Sequence, residues 1–102
     1  LRNSRVLDII KELRNYGCEV LVYDPYCDPD EARKEYGVDL IKNIKKVKPF
    51  SAIVLAVAHK PFKEWDSTKW KKLLNDGGIL MDVKGIVHRE ELSQAGLRVW
   101  HL

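Results

Sequence analysis

Cysteine is scarce in this chain: Cys18 and Cys27 are the two among 102 residues. They form no C-x-x-C pair and have no histidine at ligand spacing, which argues against a disulfide framework or a zinc site. One thiol reads as buried and one as a loop residue, in a reducing cytoplasm. No apolar run approaches the roughly 18 residues of a membrane span. Arg2, Arg5 and Asp8 interrupt the opening where a signal peptide would need an apolar stretch. An excess of one charge is also missing. Lys and Arg number 18 against 15 Asp and Glu, interleaved to a formal net charge of +3, which disfavours a nucleic-acid binder with a dense basic face. No G-x-G-x-x-G, Walker A or G-x-S-x-G pattern occurs, and no nucleophile–base pair is visible. Repeats, low-complexity tracts and linkers are absent as well.

What is present is an apolar content of 45%, enough for the core of one domain spanning residues 1–102. Residues 52–58 (AIVLAVA) form an unbroken apolar run with β-branched character. A strand with one wet face would alternate, so this run predicts a strand buried on both faces in a helix-covered parallel sheet. It stops at His59-Lys60-Pro61. Upstream, Val6, Ile9, Ile10 and Leu13 at helical spacing, with Gly17 as a stop, predict a helix over 4–16. A strand over 19–23 (EVLVY) closes at Asp24-Pro25. A short acidic helix over 30–36 ends at Gly37, a brief edge strand covers 38–41, and a lysine-faced helix covers 42–48. After the 52–58 strand come a helical turn at 62–65, a helix from Ser67 or Thr68 to Leu74, and a strand at 78–83. A helix at 89–94 and a strand at 97–101 complete the chain.

This alternation predicts an α/β fold, a Rossmann-like three-layer α/β/α domain with a parallel sheet. Such folds open with a central strand, whereas the first helix here starts almost at residue 1, with no initiating methionine. The expectation is a truncated domain lacking its first central strand. The strand ends then present Asp24, His59, Lys60, Asp82 and Lys84 along one edge, where open α/β sheets bind ligands. Lys60 and Lys84 suit an anion such as a phosphate, and the start of the first helix, with Arg2 just ahead, suits the same group. Each has a plainer reading: Asp24 as a turn former before proline, His59 as a hydrogen-bonding residue, Lys84 as a solvated loop lysine. The lysines of 42–48 and 69–72 read as solvated helix faces, and Trp65, Trp70 and Trp100 as core or interface residues.

The segments LRNSRVLDIIKELRNYGCEVLVYDP, AIVLAVAHKPF and GGILMDVKGI, with RVWHL at the end, resemble the C-terminal domain of the UDP-glucose/GDP-mannose dehydrogenases. Within that family the resemblance points to the UDP-N-acetylhexosamine 6-dehydrogenases of bacterial surface polysaccharide synthesis. It spans essentially the whole chain. The order R-N-S, V-Y-D-P, D-V-K-G is specific where no single motif would be.

The resemblance implies a UDP-binding part of an NAD-dependent enzyme that oxidises a UDP-sugar at C6 to a carboxylate. NAD and the catalytic residues would belong to domains outside this chain, leaving no catalytic residue, metal or cofactor here and an inactive fragment. It also implies UDP contacts at Arg2 and Lys84, a cytoplasmic homo-oligomer, and no nucleic-acid or membrane partner. A stand-alone nucleotide- or cofactor-binding regulatory module is the alternative.

Overall fold

The computed structural model describes residues 4–46 and 49–101. They divide into two compact units, Leu1–Ile44 and Lys45–Leu102. The chain is of the α/β class, with a three-stranded parallel sheet in the second unit. No described helix is long and apolar enough to cross a membrane.

In the first unit, α1 (Ser4–Asn15) follows its apolar spacing, with Ile10 buried and Val6, Ile9 and Leu13 half-buried. It ends where Gly17 adopts a positive φ of 85°, which lets the amides of Gly17 and Cys18 return to the Arg14 and Leu13 carbonyls. Cys18, just past this turn, is exposed, and Cys27 is intermediate. The short helix α2 (Pro29–Glu31) opens one residue earlier than expected. Asp28 accepts the amide of Asp30, and Pro29 tolerates the first turn, where its missing N–H costs nothing. A π-helical turn, Ala32–Tyr36, continues it to Gly37.

The strand expected at 19–23 is reduced to one parallel bridge, Val22 to Leu40, with the Ile41 amide on the Val22 carbonyl at 2.9 Å. The physical reason is local. Asp24 accepts the Tyr26 amide at 2.9 Å and turns the chain directly after Tyr23. The partner segment is itself only a few residues long.

Between the units in sequence, the helix expected over 42–48 is a single 3₁₀ turn, Ile44–Lys46; residues 47–48 lie outside the described set. The sheet then runs β1 (Phe50–Leu55), β2 (Leu74–Asp82) and β3 (Arg98–His101), in the order β1-β2-β3. Among the described residues β2 is therefore central and β1 is an edge. This corrects the expectation that the apolar run would be buried on both faces: Ser51 and Ala52 are exposed, Ile53 and Val54 are half-buried, and Leu55 is buried. Double burial requires cover on both faces, and an apolar sequence run cannot report whether that cover is there. The strand also ends at Leu55 rather than Ala58, where the Val83 amide bonds the Leu55 carbonyl at 3.1 Å.

On β2, burial alternates. Gly78, Leu80 and Asp82 are buried, while Ile79 and Met81 are half-buried. The register breaks between Phe50↔Leu74 and Ala52↔Ile79, so Asn75–Gly78 loops out. Gly77 accommodates this with a φ of 77°. At Gly78 a Cβ would lie 2.9 Å from the Asn75 carbonyl oxygen and 3.2 Å from two Leu74 side-chain atoms. Because the nearest atom is backbone, Gly78→Ala should lower stability by about 1–3 kcal/mol, read from the urea midpoint.

Helices α3 (Lys60–Glu64), α4 (Ser67–Leu73) and α5 (Arg89–Gln94) connect the strands. Pro61 falls within the first turn of α3, so it opens a helix as well as ending the strand signal. The cap of α4 is Asp66, which accepts the Lys69 amide at 2.9 Å, rather than Ser67 or Thr68. The core gathers Leu55, Phe62, Trp70, Leu73, Leu80 and Leu92. Trp70 is buried, Trp65 half-buried and Trp100 exposed.

Candidate functional site

Parallel pairing brings the carboxyl ends of all three strands to one edge, where Leu55, Asp82 and His101 stand in register. The residues after each strand end therefore share that edge. His59 and Lys60 follow β1, Lys84 follows β2, and His101 closes β3. Asp24 belongs to the first unit, where its carboxyl group makes the turn described above. Arg2 lies outside the described residues.

Asp82 is only 2% exposed and faces inward beside Leu80, not into a crevice. One carboxyl oxygen accepts the Gly85 amide at 2.9 Å and the other accepts the Val87 amide at 3.0 Å. A buried carboxyl group needs such partners, and here the partners are the backbone of the next loop. Gly85, with a φ of 68°, supplies the left-handed residue the turn requires. Asp82 thus shapes the loop, and Lys84 sits exposed within it. With the Val83–Leu55 bond included, three hydrogen bonds fix the backbone around this lysine.

His59 precedes α3 at its N-cap position, with no side-chain cap bond, and its ring lies 5.8 Å from that of Phe62. Lys60, the first residue of α3, is exposed. The aromatic contacts continue from Phe62 to Trp65 at 5.2 Å, edge-on, and from Trp65 to Trp70 at 4.8 Å. Lys69 holds its ammonium 4.3 Å from the Trp65 ring centre, a cation–π contact. This lysine packs on an aromatic face as well as facing solvent.

Among the described residues of the second unit, two clefts bear on the site. One of about 150 Å³ is lined by Phe62, Trp65, Val87, His88 and Leu92 among others. An open groove of about 370 Å³ runs past Lys45, Thr68, Lys69 and Lys72. Lys84 lines neither. Among the described residues no cluster of three His, Cys, Asp or Glu could hold a metal ion.

Two residues of the edge escaped the sequence reading. Arg89, at the start of α5, points its Nη1 to Nε2 of His101 at the end of β3, 2.6 Å away. His101 was legible as a strand-end residue by the logic that selected His59. Arg89 carried no such signal, because its role depends on a partner twelve residues away.

Comparison with known proteins places these features in context. The profile of the UDP-glucose/GDP-mannose dehydrogenase family, UDP binding domain, matches residues 1–89. Protein CapL of Staphylococcus aureus is 40% identical over 102 residues, covering 100% of this chain and 23% of that protein. UDP-N-acetyl-D-glucosamine 6-dehydrogenase of Salmonella typhi is 35% identical over 91 residues, 89% of this chain and 21% of that enzyme. The enzyme of the same name from Pseudomonas aeruginosa is 33% identical over a stretch of the same length and coverage. The chain thus spans about a fifth of the length of these curated relatives.

Proposed function

This chain belongs to the UDP-glucose/GDP-mannose dehydrogenase family, and from that premise we propose that it forms the UDP-binding portion of an NAD-dependent UDP-sugar 6-dehydrogenase. The reaction would convert the sugar C6 alcohol to a carboxylate, supplying precursors for surface polysaccharide in the cytoplasm. The working enzyme would be a homo-oligomer. NAD would be held by a domain other than this one, and this chain alone would be inactive. Its own residues then bind and orient the nucleotide.

The observation that supports this reading is the Lys84 loop. An exposed ammonium group stands at the ligand-binding edge of a parallel sheet, on a backbone already fixed by Asp82. A phosphate meeting a preorganised cation gains a charge-assisted contact without first ordering the loop. Arg2 is proposed as a second phosphate contact, and His59 and Lys60 are proposed to line the strand-end edge that carries Lys84. Asp24 remains a candidate through its place at the V-Y-D-P motif, although its carboxyl group already serves a turn.

The test is Lys84→Ala in the dehydrogenase that carries this chain. A contact to a phosphate remote from the reacting carbon binds ground state and transition state alike. KM for the UDP-sugar should therefore rise about tenfold, with kcat changed less than about threefold. An unchanged KM would remove Lys84 from the site. Arg2→Ala should shift KM in the same direction.

A further inference from the structure

We propose that Arg89 is a further cationic contact for the diphosphate of the nucleotide at the Lys84 edge, and that His101 is the residue that positions it. The inference rests on the UDP-binding reading above and extends it to two residues that were not among the site candidates read from the sequence. The family profile ends at residue 89, so His101 lies beyond it.

Three observations carry the assignment. First, Arg89 and Lys84 flank one short loop, and Asp82 fixes that loop between them through the amides of Gly85 and Val87. Second, Arg89 is exposed, and its hydrogen bond is to a histidine rather than to a carboxylate. An acidic partner would neutralise the guanidinium; the imidazole orients it and leaves its charge available to an anion. A guanidinium has five N–H donors, so the bond to His101 Nε2 leaves others for phosphate oxygens. Since arginine can only donate, His101 Nε2 serves as the acceptor of this bond.

Third, His101 is in register with Asp82 across the parallel pair. The end of β3 is therefore fixed beside the strand that carries the Lys84 loop, and the Arg89–His101 bond ties α5 to that same point. The two residues have independent anchors: the buried Asp82 carboxyl group holds the loop backbone that carries Lys84, and the imidazole holds the Arg89 side chain. An arginine held in this way presents the planar fork that suits a phosphate, where a lysine offers only a point charge.

The experiment measures binding of UDP, inorganic pyrophosphate and uridine to the dehydrogenase that carries this chain, and to its variants, by calorimetric titration. Arg89→Ala should weaken UDP and pyrophosphate about tenfold and leave uridine unchanged, the loss expected for one exposed charge-assisted contact. Arg89→Lys, which keeps the charge without the fork, should lose about threefold. His101→Phe removes the acceptor and should weaken UDP about threefold, whereas His101→Gln restores an acceptor oxygen and should return UDP affinity to near the unsubstituted value.

Equal losses for uridine and UDP in the Arg89 variants would show a strap that only holds the fold, and would overturn the assignment. So would unsubstituted UDP affinity in Arg89→Ala. Failure of His101→Gln to recover what His101→Phe loses would overturn the positioning role of His101. If the unsubstituted enzyme binds neither UDP nor pyrophosphate, the UDP-binding reading itself falls, and the Arg89 assignment with it.

Discussion

Asp82→Ala is expected to lower the stability of this chain by about 3 kcal/mol, because it strips the acceptors from two backbone amides at once. The carboxyl group is 2% exposed, and its oxygens bond the Gly85 and Val87 amides at 2.9 and 3.0 Å. Removing it leaves two part-buried donors without partners, and each such donor costs about 1–3 kcal/mol. Asp82→Asn is the informative control. It keeps one acceptor oxygen but turns an N–H donor toward the other amide, so about half the loss should remain. Urea unfolding followed by circular dichroism would read both variants. A shift under about 0.5 kcal/mol for Asp82→Ala would mean that the loop finds other partners and that Asp82 is not its anchor. The functional consequence should follow the structural one. With the loop released, Lys84 loses its fixed position, and UDP affinity should fall more in Asp82→Ala than stability alone explains at temperatures where the fold persists.

Asp82 also shows where sequence reasoning reached and where it stopped. Its place at a strand end was legible from the GILMDV run, and so was the polar stop that follows. Its direction was not, because whether a strand-end carboxyl group turns toward solvent or toward its own loop depends on the backbone that follows. Gly85, three residues on, was the available hint: an acid followed by a left-handed glycine is a common way to close a turn on a side chain. Helices α1, α4 and α5 were readable because their signals are local, in apolar spacing, stop residues and acceptors near the start. The 19–23 strand and the double burial of residues 52–58 were over-read for a shared reason. Both inferences needed a neighbour, and strand propensity says nothing about who the neighbour is. The Arg89–His101 pair belongs to the same class, since it exists only once β3 is laid beside β2.

Trp70→Ala should be the most damaging single change in the second unit, at about 3–5 kcal/mol. The side chain is 1% exposed on α4, with its ring 4.8 Å from Trp65. Truncation to a methyl group opens a cavity that the ends of a seven-residue helix cannot collapse to fill. Against a total stability of about 5–15 kcal/mol for a domain of this kind, such a loss leaves a marginal fold. The indole brings a liability of its own, since its Nε1 is buried with no hydrogen-bond partner among the described residues. Trp70→Phe removes that orphaned donor together with part of the ring, so its cost should be smaller, about 1–2 kcal/mol. Thermal or urea unfolding would rank the two variants. If Trp70→Phe proved as costly as Trp70→Ala, the indole N–H would have an acceptor in solution, and its apparent isolation would be wrong. The effect should also reach the ligand edge. The ring contacts run from Trp70 through Trp65 and Phe62 to His59, the residue from which α3 departs just beyond β1. Weakening that chain at its buried end should broaden the His59 ring resonances in NMR, while those of His101, anchored by Arg89, stay sharp.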